Sequence, residues 1–357
     1  MALTTARTGL TPQQWDDKFF MEYVRENRFK RYMGTDENSI IQLKEDLTKK
    51  KGDKVTFAAV NKLTGAGVTG NTTLEGNEEE LDTRSMAVTV APLRHAVAVT
   101  NWDEQKSTIE LRDTAKMALK MWSMEKMKTA IITALGSING VAYADASEAQ
   151  KDAWLVDNSD RVLFGATKSN ASSNDHSTSL ANIDNTSDKL SPAIISLAKR
   201  IAQSASPAIR PIRLSEDEEW FVMFCGPQAF RDLSNDTTMT QANRDARTRG
   251  MDNPLFTGGS LIWDGVIIRE IPEIAAVSNG TIDCNPNYLV GAQALGIAWA
   301  QRTKTTTQVN DYGFRNGVGV QEMRGIEKLL FGSGAGDTDD LKQHGVVTVW
   351  TAGVADT

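Results

Sequence analysis

The chain has 357 residues, 40% hydrophobic and 24% charged, enough for two globular domains or one elaborate one with a sizeable core. A formal net charge of -7 argues against a dedicated nucleic-acid binder, which needs a basic face, and leaves room only for local basic patches. Two cysteines, Cys225 and Cys284, and three scattered histidines, His95, His176 and His344, exclude a structural zinc site and fit a reducing compartment.

The opening MALTTARTGLTPQQWDDKFF has no basic segment followed by an apolar core, so no signal peptide is read. No window approaches eighteen apolar residues, so no membrane span is expected. Residues 1–48 are polar with short amphipathic pieces. Thr11-Pro12 suits a helix start, and Trp15, Phe19, Phe20 and Tyr23 form a stripe behind it. Glu37 to Lys44 carries Ile40, Ile41 and Leu43. These pieces have little core of their own and must dock on the body or on a neighbouring copy.

Lys54 to Ala59 and Ser85 to Thr100 read as strands around a tip rich in Gly, Thr, Asn and Glu, an extended β-hairpin. The tip contains Gly65-Ala66-Gly67-Val68-Thr69-Gly70, formally GxGxxG. A dinucleotide site needs a helix opening at its end, and Asn71-Thr72-Thr73-Leu74-Glu75 is no helix start, so a hairpin tip is the better reading. Asp103 to Leu135 then reads as one long helix, ended by Gly136, with Met117, Met121, Met124, Ile131 and Leu135 on one face. Arg112, Lys116, Lys120, Lys126 and Lys128 are expected to keep another side wet. Roughly thirty residues at about 1.5 Å each make a rod of about 45–50 Å, long for a globular domain and suited to a spine.

Beyond the helix, Arg161 to Ala166 is a short strand, and the polar run around His176 reads as a loop with a solvated histidine. Ser191-Pro192 starts a helix to Gln203. Glu219 to Cys225 is an apolar strand, with Cys225 a small buried hydrophobe; it ends at Gly226-Pro227, a helix follows from Gln228, and residues 231–236 break it. Met239 to Arg249 is a polar helix whose Arg244, Arg247 and Arg249 read as a solvated face. Asp264-Gly265 turns a hairpin within Leu261 to Ile271. Tyr288 to Trp299 is apolar, Gln301 to Gln308 is a polar strand, Val318 to Phe331 begins by alternating, and Val346 to Trp350 is the last strand. The acidic run 334–340 lacks calcium-loop spacing and reads as a surface loop.

No GxSxG, HExxH, Walker loop or CxxC is present, so no catalytic, cofactor or metal residue is assigned. A long helix with a hairpin and arm that cannot stabilise themselves points to a self-assembling structural protein. Asn71 to Glu79, Asp264 to Glu270, Gly291-Ala292-Gln293-Ala294, Asp311-Tyr312-Gly313, Gly325 to Lys328 and Gly345 to Ala352, in that order, resemble a family of tailed-bacteriophage major capsid proteins. The similarity runs from about residue 15 to the end.

The resemblance implies an α+β fold of the Hong Kong 97 type. Its parts map to an arm at 1–48, an extended loop at 49–86, a peripheral domain at 87–189 and 301–357 with spine helix 103–135, and an axial domain at 190–300. It implies assembly through pentamers and hexamers into an icosahedral head around DNA, with no enzymatic activity or cofactor. It further implies a separate scaffolding protein, since about fifty residues before the loop are too few for a built-in one. A portal, a decoration protein, and virion location after assembly in the host cytoplasm complete the expectation. Contact candidates are Trp15 and Phe19 on the arm, and Lys62, Glu78, Glu79 and Glu80 on the loop. Lys62 lies where some relatives crosslink, but nothing marks a glutamate-assisted asparagine, and no crosslink is expected. The rival readings are a nucleotide-binding enzyme using Gly65–Gly70, which would lose its ligand on changing Gly67, and another virion protein building tubes or rings.

Overall fold

A computed structural model describes residues 27–48, 51–107, 109–213, 218–245, 261–334 and 336–353. The chain forms two compact units. The first contains Pro92–Met127 and Gln301–Met323; the second contains Arg28–Ala91, Lys128–Ala300 and the chain from Arg324 onward.

Two short parallel strands open the described chain, β1 (Met33–Gly34) and β2 (Ile41–Lys44). Ile40 and Ile41 are buried, and β2 pairs in parallel with Leu295–Ala298, the docking that this apolar piece requires. The hairpin follows as β3 (Lys54–Val60) and β4 (Thr83–Thr89), antiparallel from Lys54 opposite Thr89 to Val60 opposite Thr83. The strand material expected to run unbroken to Thr100 divides at Val90, and β5 (Ala91–Thr100) joins another sheet. The Val90 N–H turns to Asp53 O, and Pro92 has no N–H to continue the hairpin ladder.

The long helix is likewise two helices, α1 (Asn101–Lys106) and α2 (Leu111–Leu135). Thr100 caps α1, and the Ser107 hydroxyl both accepts from Ile109 N and donates to Ile109 O. A serine that satisfies the backbone locally competes with helical bonding and ends it there. The 25 residues of α2 span about 38 Å. Its buried row is Ala115, Leu119, Ser123, Ile131 and Leu135, while Met117 is 54% exposed. Lys128 is not wet: it is buried, and its ammonium lies 2.7 Å from Glu273.

In the second unit α3 (Glu148–Asn158) starts at a Ser147–Gln150 capping box, and β6 (Val162–Phe164) follows. The run around His176 is a helix, α4 (His176–Ala181), capped by Asp175. His176 is buried, against the solvated place expected for it, because its ring packs near Tyr143, Phe164 and Trp350. Next come α5 (Pro192–Ser204), β7 (Ile212–Arg213), β8 (Glu219–Cys225), α6 (Pro227–Asn235) and α7 (Thr237–Asp245). Helix α6 persists through 231–235, where a break was expected, since Ala229 and Leu233 anchor one face. Of the three arginines, Arg247 and Arg249 lie outside the described residues.

The hairpin β9 (Leu261–Trp263) and β10 (Val266–Glu270) turns on Asp264 and Gly265, both with positive φ. Then come β11 (Val277–Ser278), β12 (Asp283–Val290), β13 (Leu295–Asn310), β14 (Arg315–Lys328), β15 (Leu330–Ser333), β16 (Asp339–Gln343) and β17 (Val346–Gly353). One sheet of the second unit runs β6-β17-β12-β8-β10-β9, with β7 and β11 on its margins. All eight residues of β17 are buried between β12 and β6. The terminal strand thus lies between β12, from the 190–300 region, and β6, in a sheet separate from that of β13 and β14. Its nearly continuous apolar run suits the centre of a sheet covered on both faces. Ile194, Ala198, Leu233 and Leu289 pack on one face with Phe221 and Val347, and Trp154, Phe164 and Cys284 pack on the other with Trp350.

Gly325 ties the hairpin to this body. A Cβ there would lie 2.1 Å from Thr89 O and 2.9 Å from Val88 Cγ1, a backbone approach that only glycine permits. Gly325→Ala is expected to destabilise the subunit by about 1–3 kcal/mol, read as a lower urea midpoint at unchanged slope.

Candidate assembly surfaces

Val55, Phe57 and Val88 bury the base of the β3–β4 hairpin against Ala298, Leu329 and Phe331. Arg84 donates to Gly332 O at 2.8 Å, and the Ser85 N–H donates to Asp337. From Val60 outward the tip is open, and Leu63, Leu74 and Leu81 are each about 60% exposed. Apolar side chains left in water on a docked projection make it a candidate contact surface.

The tip is ordered by its own carboxylates. Glu79 accepts from the backbone N–H of Thr64 at 2.6 Å and of Gly65 at 2.8 Å. The Thr64 amide first, then that of Gly65, hold the Glu79 carboxyl below its ordinary range. Glu78 accepts from Gly76 N at 2.8 Å, and the Asn61 side chain bonds the Asp82 carboxylate. A Cβ at Gly65 would sit 2.7 Å from Glu79 Oε2, so a larger residue there would push the carboxylate aside. The nucleotide reading fails on the same geometry: residues 71–82 contain no helix, and a carboxylate already occupies the Gly65 N–H.

The structure brings Glu79 together with the opposite side of the loop, gives Glu78 a local bond to Gly76, and leaves Lys62 and Glu80 exposed on the same tip. Trp15 and Phe19 lie outside the described residues. Glu79→Ala is expected to raise protease cleavage within 61–82 several-fold while the thermal midpoint stays put, since the group is fully exposed. Equal cleavage of both proteins would show that the clamp orders nothing.

The first unit has a second exposed apolar edge. The β13–β14 turn passes through Asp311, Tyr312 and Gly313, all at positive φ. Val309, Tyr312, Phe314 and Trp102 are exposed there. Asn101 holds the turn, its N–H donating to Phe314 O and its side chain to Gly313 O. Composition alone did not single out this edge; the Trp102-x8-Leu111 break and the Tyr-Gly turn were the available signals.

Burial pushes the Cys225 and Cys284 thiols up, away from the thiolate. Burial also lowers Lys328 to about 7, with its amine donating to Ser137 O at 2.8 Å. Among the described residues no group of histidine, cysteine and carboxylate side chains could hold a metal, and no helix is long and apolar enough to cross a membrane.

Comparison with known proteins agrees with this architecture. A family model described as phage capsid protein matches residues 4–355. The major capsid protein of Pseudomonas phage KPP25 is 28% identical over 95% of this chain and 94% of its own. The capsid asymmetric unit of cyanophage Pam1 is 37% identical, with a TM-score of 0.89 over 100% of both chains. The capsid of Ralstonia phage GP4 is 21% identical and shares the fold, with a TM-score of 0.74 over 100% of both chains. A mixed helix-and-sheet chain with this projecting hairpin, matched along nearly its full length, belongs to the phage capsid protein family, a structural family and not an enzymatic one.

Proposed function

We propose that this chain is a major capsid protein that self-assembles through pentamers and hexamers into the icosahedral head of a tailed phage. The observation that carries the reading is the whole-chain match to a capsid subunit at 37% identity and a TM-score of 0.89. The fold is then of the Hong Kong 97 type. Residues to about 48 are its arm, about 49–86 its extended loop, and α2 with β13 and β14 its peripheral spine and sheet. The axial region is about 190–300, extended by β17, which pairs with β12 there.

Repeated heterologous contacts that close by rotation make the rings. Loops and arms, through Lys62, Glu78, Glu79, Glu80, Trp15 and Phe19, overlap neighbouring copies. The exposed leucines of the tip support this, because a projecting hairpin gains by being covered. A separate scaffolding protein, a portal and a decoration protein are its partners, DNA is enclosed without sequence-specific binding, and assembly precedes virion location in the host cytoplasm.

The test is light scattering and negative-stain microscopy of purified protein, with and without co-expressed scaffold. Closed shells or capsomer-sized rings are expected. A monomer under every condition, or open tubes, would overturn the reading.

A further inference from the structure

Gln228 and Arg231 of α6, the segment Ile274, Ala275 and Ala276, and Asn285 of β12 line a cavity of about 420 Å³ in the second unit. Strand β17 ends at its edge: a Cβ built on Gly353 would lie 2.7 Å from both Asn285 Nδ2 and Gln228 Oε1. The cavity is therefore within reach of whatever backbone follows Gly353.

Its polar atoms define what it takes. Asn285 is 2% exposed, and among the described residues neither its Nδ2 nor Gln228 Oε1 has a hydrogen-bond partner. Buried polar groups are nearly always paired. One orphan donor beside one orphan acceptor matches a peptide group, which carries one of each. An anion would suit Nδ2 but be repelled by Oε1. Gly353 has no side chain to stand between these two atoms and the backbone beyond it.

The residues after Gly353 have the matching chemistry. They are Val354, Ala355, Asp356 and Thr357. Val354 and Ala355 are small and apolar, as is the wall of Ile274, Ala275 and Ala276. Asp356 is three residues on, a reach of about 10 Å. Arg231 stands one helical turn beyond Gln228 on the same side of α6. It pairs with Asp232 at 3.2 Å, and the five donors of a guanidinium can serve a second carboxylate as well. No carboxylate lines the cavity among the described residues.

We infer that the segment 354–356 turns into this cavity as a latch, a peptide group between Asn285 and Gln228, Val354 and Ala355 on the apolar wall, and Asp356 against Arg231. The latch ties the end of the terminal strand to α6. Its tether gives it a high effective concentration, so it outcompetes a neighbour's segment of equal fit.

The test is hydrogen exchange on the purified chain, read by mass spectrometry over peptides spanning 350–357. The amides after Gly353 should exchange at least about tenfold more slowly than an unstructured chain. Asp356→Arg should bring them to the unstructured rate while the amides of β17 keep theirs. Arg231→Glu should do the same, and R231E/D356R should recover more than half of the lost protection. Unstructured-rate exchange in the wild type, or unchanged protection in Asp356→Arg, overturns the latch and leaves water in the cavity. Protection that rises with protein concentration, or that exists only in assembled particles, assigns the cavity to a neighbouring copy and also overturns it. If Arg231→Glu does not fold, Asp356→Arg and Val354→Asp decide alone, because both changes lie beyond β17. None of these outcomes bears on the capsid reading.

Discussion

Arg161→Met is expected to lower the unfolding free energy by about 3–5 kcal/mol, the cost of breaking a buried charged hydrogen-bond hub. The Arg161 side chain is fully buried. One terminal nitrogen donates to Gln343 O, the other donates to Pro207 O at 2.7 Å, and Nε lies 3.5 Å from Asp160. Methionine fills the stem's volume but leaves the buried Gln343 carbonyl and that of the exposed Pro207 without this donor, and Asp160 without its cation. The three partners sit after α5, before β6 and on β16, so one side chain joins segments far apart in the chain. Arg161→Lys should recover less than half of the loss, because one ammonium cannot span both carbonyls as the planar fork does. Urea unfolding of the purified subunit measures both variants. A loss under about 1 kcal/mol would mean that water serves those carbonyls as well.

What could be read from the sequence follows from where its signals are local. Asp264-Gly265 was legible because a two-residue turn with both φ positive admits few residue pairs. Ser191-Pro192 and Gly226-Pro227 were legible because proline suits the first helical turn. The hairpin tip was legible as a projection, though its internal order was not, since the Glu79 clamp joins residues 14 and 15 apart. The misses share a cause in tertiary context. Methionines at helical spacing suggested the wrong face of α2, whereas the buried row includes Ser123, which meets Glu322 on a strand some 200 residues away. Lys128 read as wet because Glu273, its partner, is invisible to periodicity. His176 read as solvated because the polar run around it hides an Asp175 cap and a ring pocket built from residues 143, 164 and 350. The terminal strand was recognised, but its place between β6 and β12 is topology, which no short motif encodes.

That same pocket makes the subunit acid-sensitive. Burial first lowers His176 to about 4, outweighing Glu148, Asp152 and Asp175, which favour the charged form; Lys151 opposes it. Burial, then Arg161 and Arg210, lowers His344 to about 4. In each case the folded pKa lies below the unfolded value near 6.5, so the unfolded chain binds more protons between about pH 4 and 6.5. Stability therefore rises with pH across that window and is lost as pH falls through it. A shift of this size on the fully buried His176 corresponds to about 3 kcal/mol, with a smaller share from the partly exposed His344. Lys328, lowered to about 7, adds a second rise between about pH 7 and 10 with the same sign. Urea midpoints of the unassembled subunit should fall steadily from pH 7 to pH 4.5. His176→Phe keeps an aromatic ring among Tyr143, Phe164 and Trp350 and removes the proton, so it should flatten that fall by about half while leaving the rise above pH 7 in place. An unchanged slope in His176→Phe would place the acid response elsewhere. If the slope is lost at both ends of the range, the substitution has loosened the whole ring pocket, Lys328 included, whose amine lies 5.9 Å from the Trp154 ring centre beside it.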